Sequence, residues 1–162
     1  MAYDEEDPMA EAIPAGLEGR IVPYLMIDGA ADAIDFYGRA FGAEERYRLE
    51  MPGGRIGHAE IVVNGAMVFL ADAPDDMPGD AGNPKKLGGT TVLLHQYVAD
   101  VDAAVTAAEA AGATVLRPPE DQFYGDRAAV VADPFGHQWS LHTHVRDVSP
   151  EEMERAIAEL GG

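Results

Sequence analysis

The sequence predicts an α+β fold: two tandem βαβββ modules forming a curved mixed sheet with a concave cleft. Three observations lead there. The pattern strand, helix, strand, strand, strand is legible twice along the chain. The two helices share a register, with Asp32-Ala33 matching Asp102-Ala103 and Gly42-Ala43 matching Gly112-Ala113, both at a spacing of 70. The last turns match too, Gly65 against Gly136 at a spacing of 71. Alanine-rich helices alone would not keep this order and phase, so the chain reads as an internal duplication.

Residues 1–19 are acidic and broken by Pro8 and Pro14, and are expected to form a disordered tail. The domain then runs over 20–148, as modules 20–72 and 90–148 joined by a linker at 73–89. "RIVPYLMID" is the first strand. It leads into the helix "GAADAIDFYGRAFGA", with Ala33, Ile34, Tyr37, Ala40 and Phe41 on one apolar face and Gly42 as terminator. "ERYRLEM", "RIGHAEIVV" and "AMVFLAD" complete the module, and Asn64-Gly65 between the last two is a strong hairpin signal. "APDDMPGDAGNPKKLGG" is rich in Gly, Pro and Asp and is expected to hold no element.

In the second module "TTVLLHQYVAD" is a strand and "VDAAVTAAEAAGA" a helix. "TVLRP" and "FYGDRAAVVAD" are strands, "DPFG" is a turn, and "HQWSLHTHV" closes the sheet. Residues 149–162 are expected as a C-terminal helix, because Ser149 and Glu152 have capping-box spacing with Pro150 at the first helical position.

Composition narrows the function. The chain has 162 residues, no cysteine, and 29 acids against 11 bases, for a net charge of −18. The missing thiols exclude disulfides and thiolate chemistry, leaving His, Asp and Glu as metal ligands. The acidity repels phosphate backbones, so no nucleic-acid partner is expected. No apolar run approaches the roughly 18 residues of a membrane span, and the N-terminus has no signal-peptide core. A cytoplasmic protein without a membrane partner is the expectation.

Strand parity proposes what lines the cleft. Ile61 and Val63 suit the helix-packed face, which sends His58 and Glu60 to the other. Leu93, His95 and Tyr97 share a side; so do Val22, Tyr24 and Met26, and so do Gln138, Ser140, His142 and His144. Trp139 has the opposite parity and is expected in the core, and His137 in turn structure. His58 and Glu60 are candidates for an acid/base pair. Phe123 and Tyr124 are candidate aromatic walls, and Arg127 a candidate fork for an anion.

"VPYLMIDGAADAIDFYGRAFGAEE", "GRIGHAEIVVNGAMVFLAD", "LHQYVADVDAAV", "AAGATVLRPPEDQFYGDR" and "DPFGHQWSLHTHVRDVSPEEM" together resemble the vicinal-oxygen-chelate superfamily. That group holds glyoxalases, bleomycin-resistance proteins and extradiol dioxygenases, and the resemblance is greatest to its PhnB-like branch. It covers residue 20 to about 155. It implies the glyoxalase/bleomycin-resistance fold and a homodimer. Metal-dependent members draw their ligands from the first and last strands of each module. Carried over, those places fall at or near Val22, Phe69, Leu93 and Ser140, where no good divalent-metal ligand stands.

The leading expectation is therefore a small-molecule binder without the usual His/Glu metal site and without a cofactor. Its ligand would lie among Tyr24, His95, Tyr97, Phe123, Tyr124, Arg127 and Ser140. The alternative is a metal-dependent lyase, isomerase or dioxygenase with a divalent ion (Zn, Ni, Fe or Mn) on a shifted set, His58, Glu60, His95 and His142. A third possibility, a dimerisation scaffold, requires side chains to fill the cleft.

Overall fold

Asn64 and Gly65 both have positive φ, 48° and 81°. Paired central residues of that kind give the tight turn whose twist matches the strands it joins. In the computed structural model, which describes residues 14–73 and 82–161, this turn links β3 (Ile56–Val63) to β4 (Ala66–Asp72). The rest of the first module is β1 (Tyr24–Ile27), α1 (Ala30–Phe41) and β2 (Glu44–Glu50). Its sheet has the order β1-β4-β3-β2, with β1 parallel to β4 and the other pairs antiparallel.

The second module repeats the plan with β5 (Leu93–Tyr97), α3 (Val101–Ala111), β6 (Thr114–Asp121), β7 (Asp126–Ala132) and β8 (Gln138–His144). Its sheet order is β5-β8-β7-β6, so each module carries its own four-stranded mixed sheet. The duplication extends to strand register. Tyr24 pairs with Phe69 in one sheet and His95 with Ser140 in the other, each residue 71 positions from its counterpart. Helix starts are secured the same way. The Asp72 carboxylate accepts the Gly29 and Ala30 N–H groups at 3.1 and 2.8 Å, and Thr143 Oγ1 accepts the Val101 N–H at 2.9 Å. These are donors that a helix cannot satisfy itself.

Helices α1 and α3 pack side by side, and one core spans both modules. Ile34, Phe36, Tyr37 and Ala40 of α1 are buried, while Phe41 is half-buried against the Trp139 ring at 4.6 Å. Asp133 is the clasp. Its Oδ2 accepts the Tyr37 hydroxyl (2.6 Å) and Trp139 Nε1–H (3.0 Å), and its Oδ1 accepts the Phe135 and His137 N–H groups. Burial, then the Asp133 charge, lifts the Tyr37 phenol well above its ordinary pKa. The "DPFG" turn thus ties the second module to the first helix, and His137 adds a bond from Nε2 to the Met26 carbonyl.

Two expectations about elements are corrected. The stretch read as an uninterrupted linker holds a four-residue helix, α2 (Pro84–Leu87), where Asn83 accepts the Lys86 N–H and Pro84 occupies the first turn. The strand expected to end at Pro118 continues as β6 to Asp121, and the following turn delays β7 to Asp126. Prolines survive there because β6 is an edge strand with one free side. The C-terminal α4 (Pro150–Leu160) has both halves of its capping box and buries no residue. The tail at 1–13 and residues 74–81 of the linker lie outside the described residues.

Candidate functional site

Alternate residues of β8 turn Trp139 and Leu141 into the core and Ser140 and His142 towards the opposite face. There they border a recess of about 470 Å³ with Leu93, Leu116, Arg117 and Tyr124. Asp126, the first residue of β7, lies across the ladder from His144 and is 5% exposed. Its Oδ2 accepts His142 Nδ1–H at 3.0 Å and the Tyr97 hydroxyl at 2.9 Å, and its Oδ1 accepts from His144 Nδ1 at 2.9 Å.

Burial opposes ionisation of Asp126, but the hydrogen bonds from His144, His142 and Tyr97 prevail and hold its carboxyl below the ordinary value. It is therefore a carboxylate, which only accepts. His142 turns Nδ1 to that carboxylate and Nε2 to Ser140 Oγ, 3.0 Å away. His144 differs: Nε2 also meets a carboxylate, Asp147 at 2.9 Å. Its bonds to Asp126 and then Asp147 raise its pKa, favouring the doubly protonated ring.

The His95 ring stands 4.3 Å from that of His142. Burial, then the neighbouring imidazole, lowers its pKa, so His95 is held neutral. Tyr124 lies nearly parallel to His142 at 6.2 Å and touches Phe123 edge-on at 5.3 Å. An adjoining apolar recess of about 610 Å³ shares Leu93, and is bordered by Val22, Pro23, Met67 and His95.

The first module builds a separate cluster. The Tyr24 hydroxyl meets His58 Nδ1 at 2.7 Å, His58 Nε2 meets Glu60 Oε1 at 3.3 Å, and Phe69 stands against the imidazole at 5.0 Å. So Tyr24, His58 and Glu60 come together, as do His95, Tyr97, Tyr124, Ser140 and His142. No hydrogen bond, ion pair or ring contact among the described residues joins the two groups.

The shifted metal set is accordingly divided, and among the described residues no three His, Asp or Glu side chains converge as ligands. The usual metal positions do not fit an ion either. Val22, Phe69 and Leu93 have no donor, and the Ser140 hydroxyl is engaged by His142.

Arg127 is placed differently from the expectation. Its fork is bidentate to Asp102 on α3 (2.7 and 2.9 Å) with Asp121 at 3.0 Å, so it spans the helix side and is spent in ion pairs. The reason is parity: Asp126 lies on the same strand face as Ala128 and Val130, which border the recess, so its neighbour Arg127 points the other way. Two residues went unsuspected. Asp126 is absent from the residues that strand parity singled out. Arg117 borders the recess with no ion-pair partner among the described residues, and register shifts on either side of it mark an irregular strand. The run "LRPPED", a lone base before two prolines, was the available signal.

Paired βαβββ modules, with concave faces that carry aromatic and imidazole groups, define a protein of the glyoxalase-like class. The chain belongs to the Glyoxalase/Bleomycin resistance protein/Dioxygenase superfamily, whose family model matches residues 20–141. It is 47% identical over 146 residues to an uncharacterized protein of Mycobacterium bovis, spanning 90% of this chain and 96% of that one. Among solved structures it is similar to TioX from Micromonospora sp. ML1, at 28% identity and TM-score 0.61 over 78% of this chain and 98% of that chain. A PhnB protein from Bacillus cereus, described as a putative 3-demethylubiquinone-9 3-methyltransferase, shares the fold at 18% identity and TM-score 0.57, over 76% and 98%. No helix among the described residues is long and apolar enough to cross a membrane.

Proposed function

We propose that the chain is a cytoplasmic small-molecule-binding protein of the PhnB-like branch, which holds its ligand against the outer face of β5 and β8 without the usual His/Glu metal site. The observation that carries this reading is the recess bordered by Ser140, His142 and Tyr124, which shares Leu93 with the larger apolar one. Recesses that combine apolar wall with a few placed polar groups are the common form of ligand sites. The ordering of Asp126, His142 and Ser140 fixes where a ligand's polar atoms would bond.

Half-exposed apolar side chains rim both modules: Tyr24, Tyr47 and Leu49 on one, Leu93, Tyr97 and Leu116 on the other. A homodimer that sets the first module of one copy against the second module of its partner covers both rims, and we include it in the reading.

Tag-free protein assayed for metal and titrated with metal-free bleomycin, a cationic aromatic probe suited to an acidic chain, tests the proposal. Saturable quenching of tyrosine fluorescence without stoichiometric metal is the expected result. Tyr124→Ala should raise Kd about 10-fold, the weight of one aromatic contact. Stoichiometric Zn, Ni, Fe or Mn that is lost on His95→Ala would instead establish the metal-dependent lyase, isomerase or dioxygenase reading.

A further inference from the structure

Ser140, His142 and Asp126 stand in the order and spacing of a nucleophile, its base and the group that orients the base. Ser140 Oγ lies 3.0 Å from His142 Nε2, and His142 Nδ1 lies 3.0 Å from Asp126 Oδ2. An ionised Asp126 takes the Nδ1–H and turns Nε2 to the Ser140 hydroxyl, the position from which a neutral ring accepts its proton. Asp126 is itself held by Tyr97 and His144, so the imidazole has little freedom to turn. All three residues are buried, yet Ser140 and His142 open onto the recess. Such a constellation is recognised by geometry and roles, not by fold or sequence order.

We propose that Ser140 is a nucleophile for acyl transfer, with a small activated ester as the substrate class. The inference rests on the recess being a ligand site. Ser140 Oγ forms a bond to the carbonyl carbon while its proton passes to His142 Nε2. The ester C–O bond then breaks, and that proton leaves with the alcohol. Water, deprotonated by the same nitrogen, attacks the acyl-serine, releases the carboxylate and restores the hydroxyl.

The oxyanion needs donors from side chains, because β8 lies between β5 and β7 and its backbone N–H groups serve the ladders. Arg117 and Tyr124 border the same recess, and their guanidinium and hydroxyl are the donors we assign to the oxyanion. The irregular register around Arg117 is the kind of local bulge that re-aims a side chain towards a site.

The test is p-nitrophenyl acetate with tag-free protein, read as a p-nitrophenolate burst and by peptide mass mapping. We expect up to one burst equivalent per chain and a single acetyl group on Ser140. Ser140→Ala, which removes only an oxygen, should abolish both. Asp126→Asn should slow acylation at least about 100-fold with the fold intact by circular dichroism, since the amide favours the wrong tautomer. Acetylation of lysine, tyrosine or histidine at an equal rate in Ser140→Ala would overturn the proposal. So would no labelling in protein that still binds bleomycin, and then the binding reading would stand. Loss of both signals would remove the ligand site as well.

Discussion

Asp126 and Asp133 show how much two buried carboxylates organise, and neither is conspicuous in the sequence. Asp133 holds the Tyr37 and Trp139 side chains of the joint core. Removing the Tyr37 hydroxyl leaves that carboxylate short of a donor, and Tyr37→Phe should cost about 1–3 kcal/mol in urea unfolding. Asp126 hydrogen-bonds two imidazoles, His142 and His144. His144 has a raised pKa, so its contribution to stability is fully present below the unfolded value near 6.5 and lost as pH rises through the higher folded value. NMR titration should find His144 deprotonating above that ordinary value, and Asp126→Asn should bring it back down. Side-chain parity made His58, Glu60, His95, His142 and Ser140 legible as one-sided residues. It could not show that Asp126 meets His142 from 16 positions away, because that contact depends on strand register. Nor could it show that Arg127 pairs with Asp102 and Asp121 on the helix side, since the phase of β7 depends on where the turn before it ends.

At the level of elements, local chemistry was legible and irregular pairing was not. The Asn-Gly turn, the glycine caps and the capping box each act within a few residues, and all stand where the sequence put them. Proline argues against a strand, yet β6 runs on through Pro118 and Pro119 because a sheet edge tolerates it. The short α2 was announced by Asn83, Pro84 and Gly88 but masked by the surrounding polar composition. The helix starts give a prediction of their own. Asp72 accepts three backbone N–H groups, from Gly29, Ala30 and Ile56. Asp72→Ala should destabilise by about 2 kcal/mol, and Asp100→Ala, which removes one cap bond on α3, by about 1 kcal/mol. Chemical denaturation of the two variants side by side checks the order.

For the molecule as a whole, duplication explains both the fold and its division of labour. Equivalent strands carry Tyr24 and Phe69 in one module and His95 and Ser140 in the other, so one ancestral surface now bears two different polar clusters. The fold was legible because the repeat kept its helix and turn spacing. The sites diverged because positions facing outward are free to change without loss of core. If the two rims are covered by a partner copy, sedimentation should give twice the monomer mass, and Tyr47→Asp with Leu49→Asp should shift it to monomer. The proposed function stands or falls on ligand binding at the recess of the second module. The imidazole signals of a tag-free sample, followed by 1H–13C NMR during addition of metal-free bleomycin, test it most directly. Binding at the recess should give saturable shifts at His142 and His95 and leave His137 unmoved. Saturation at other sites while His142 and His95 stay fixed would contradict it.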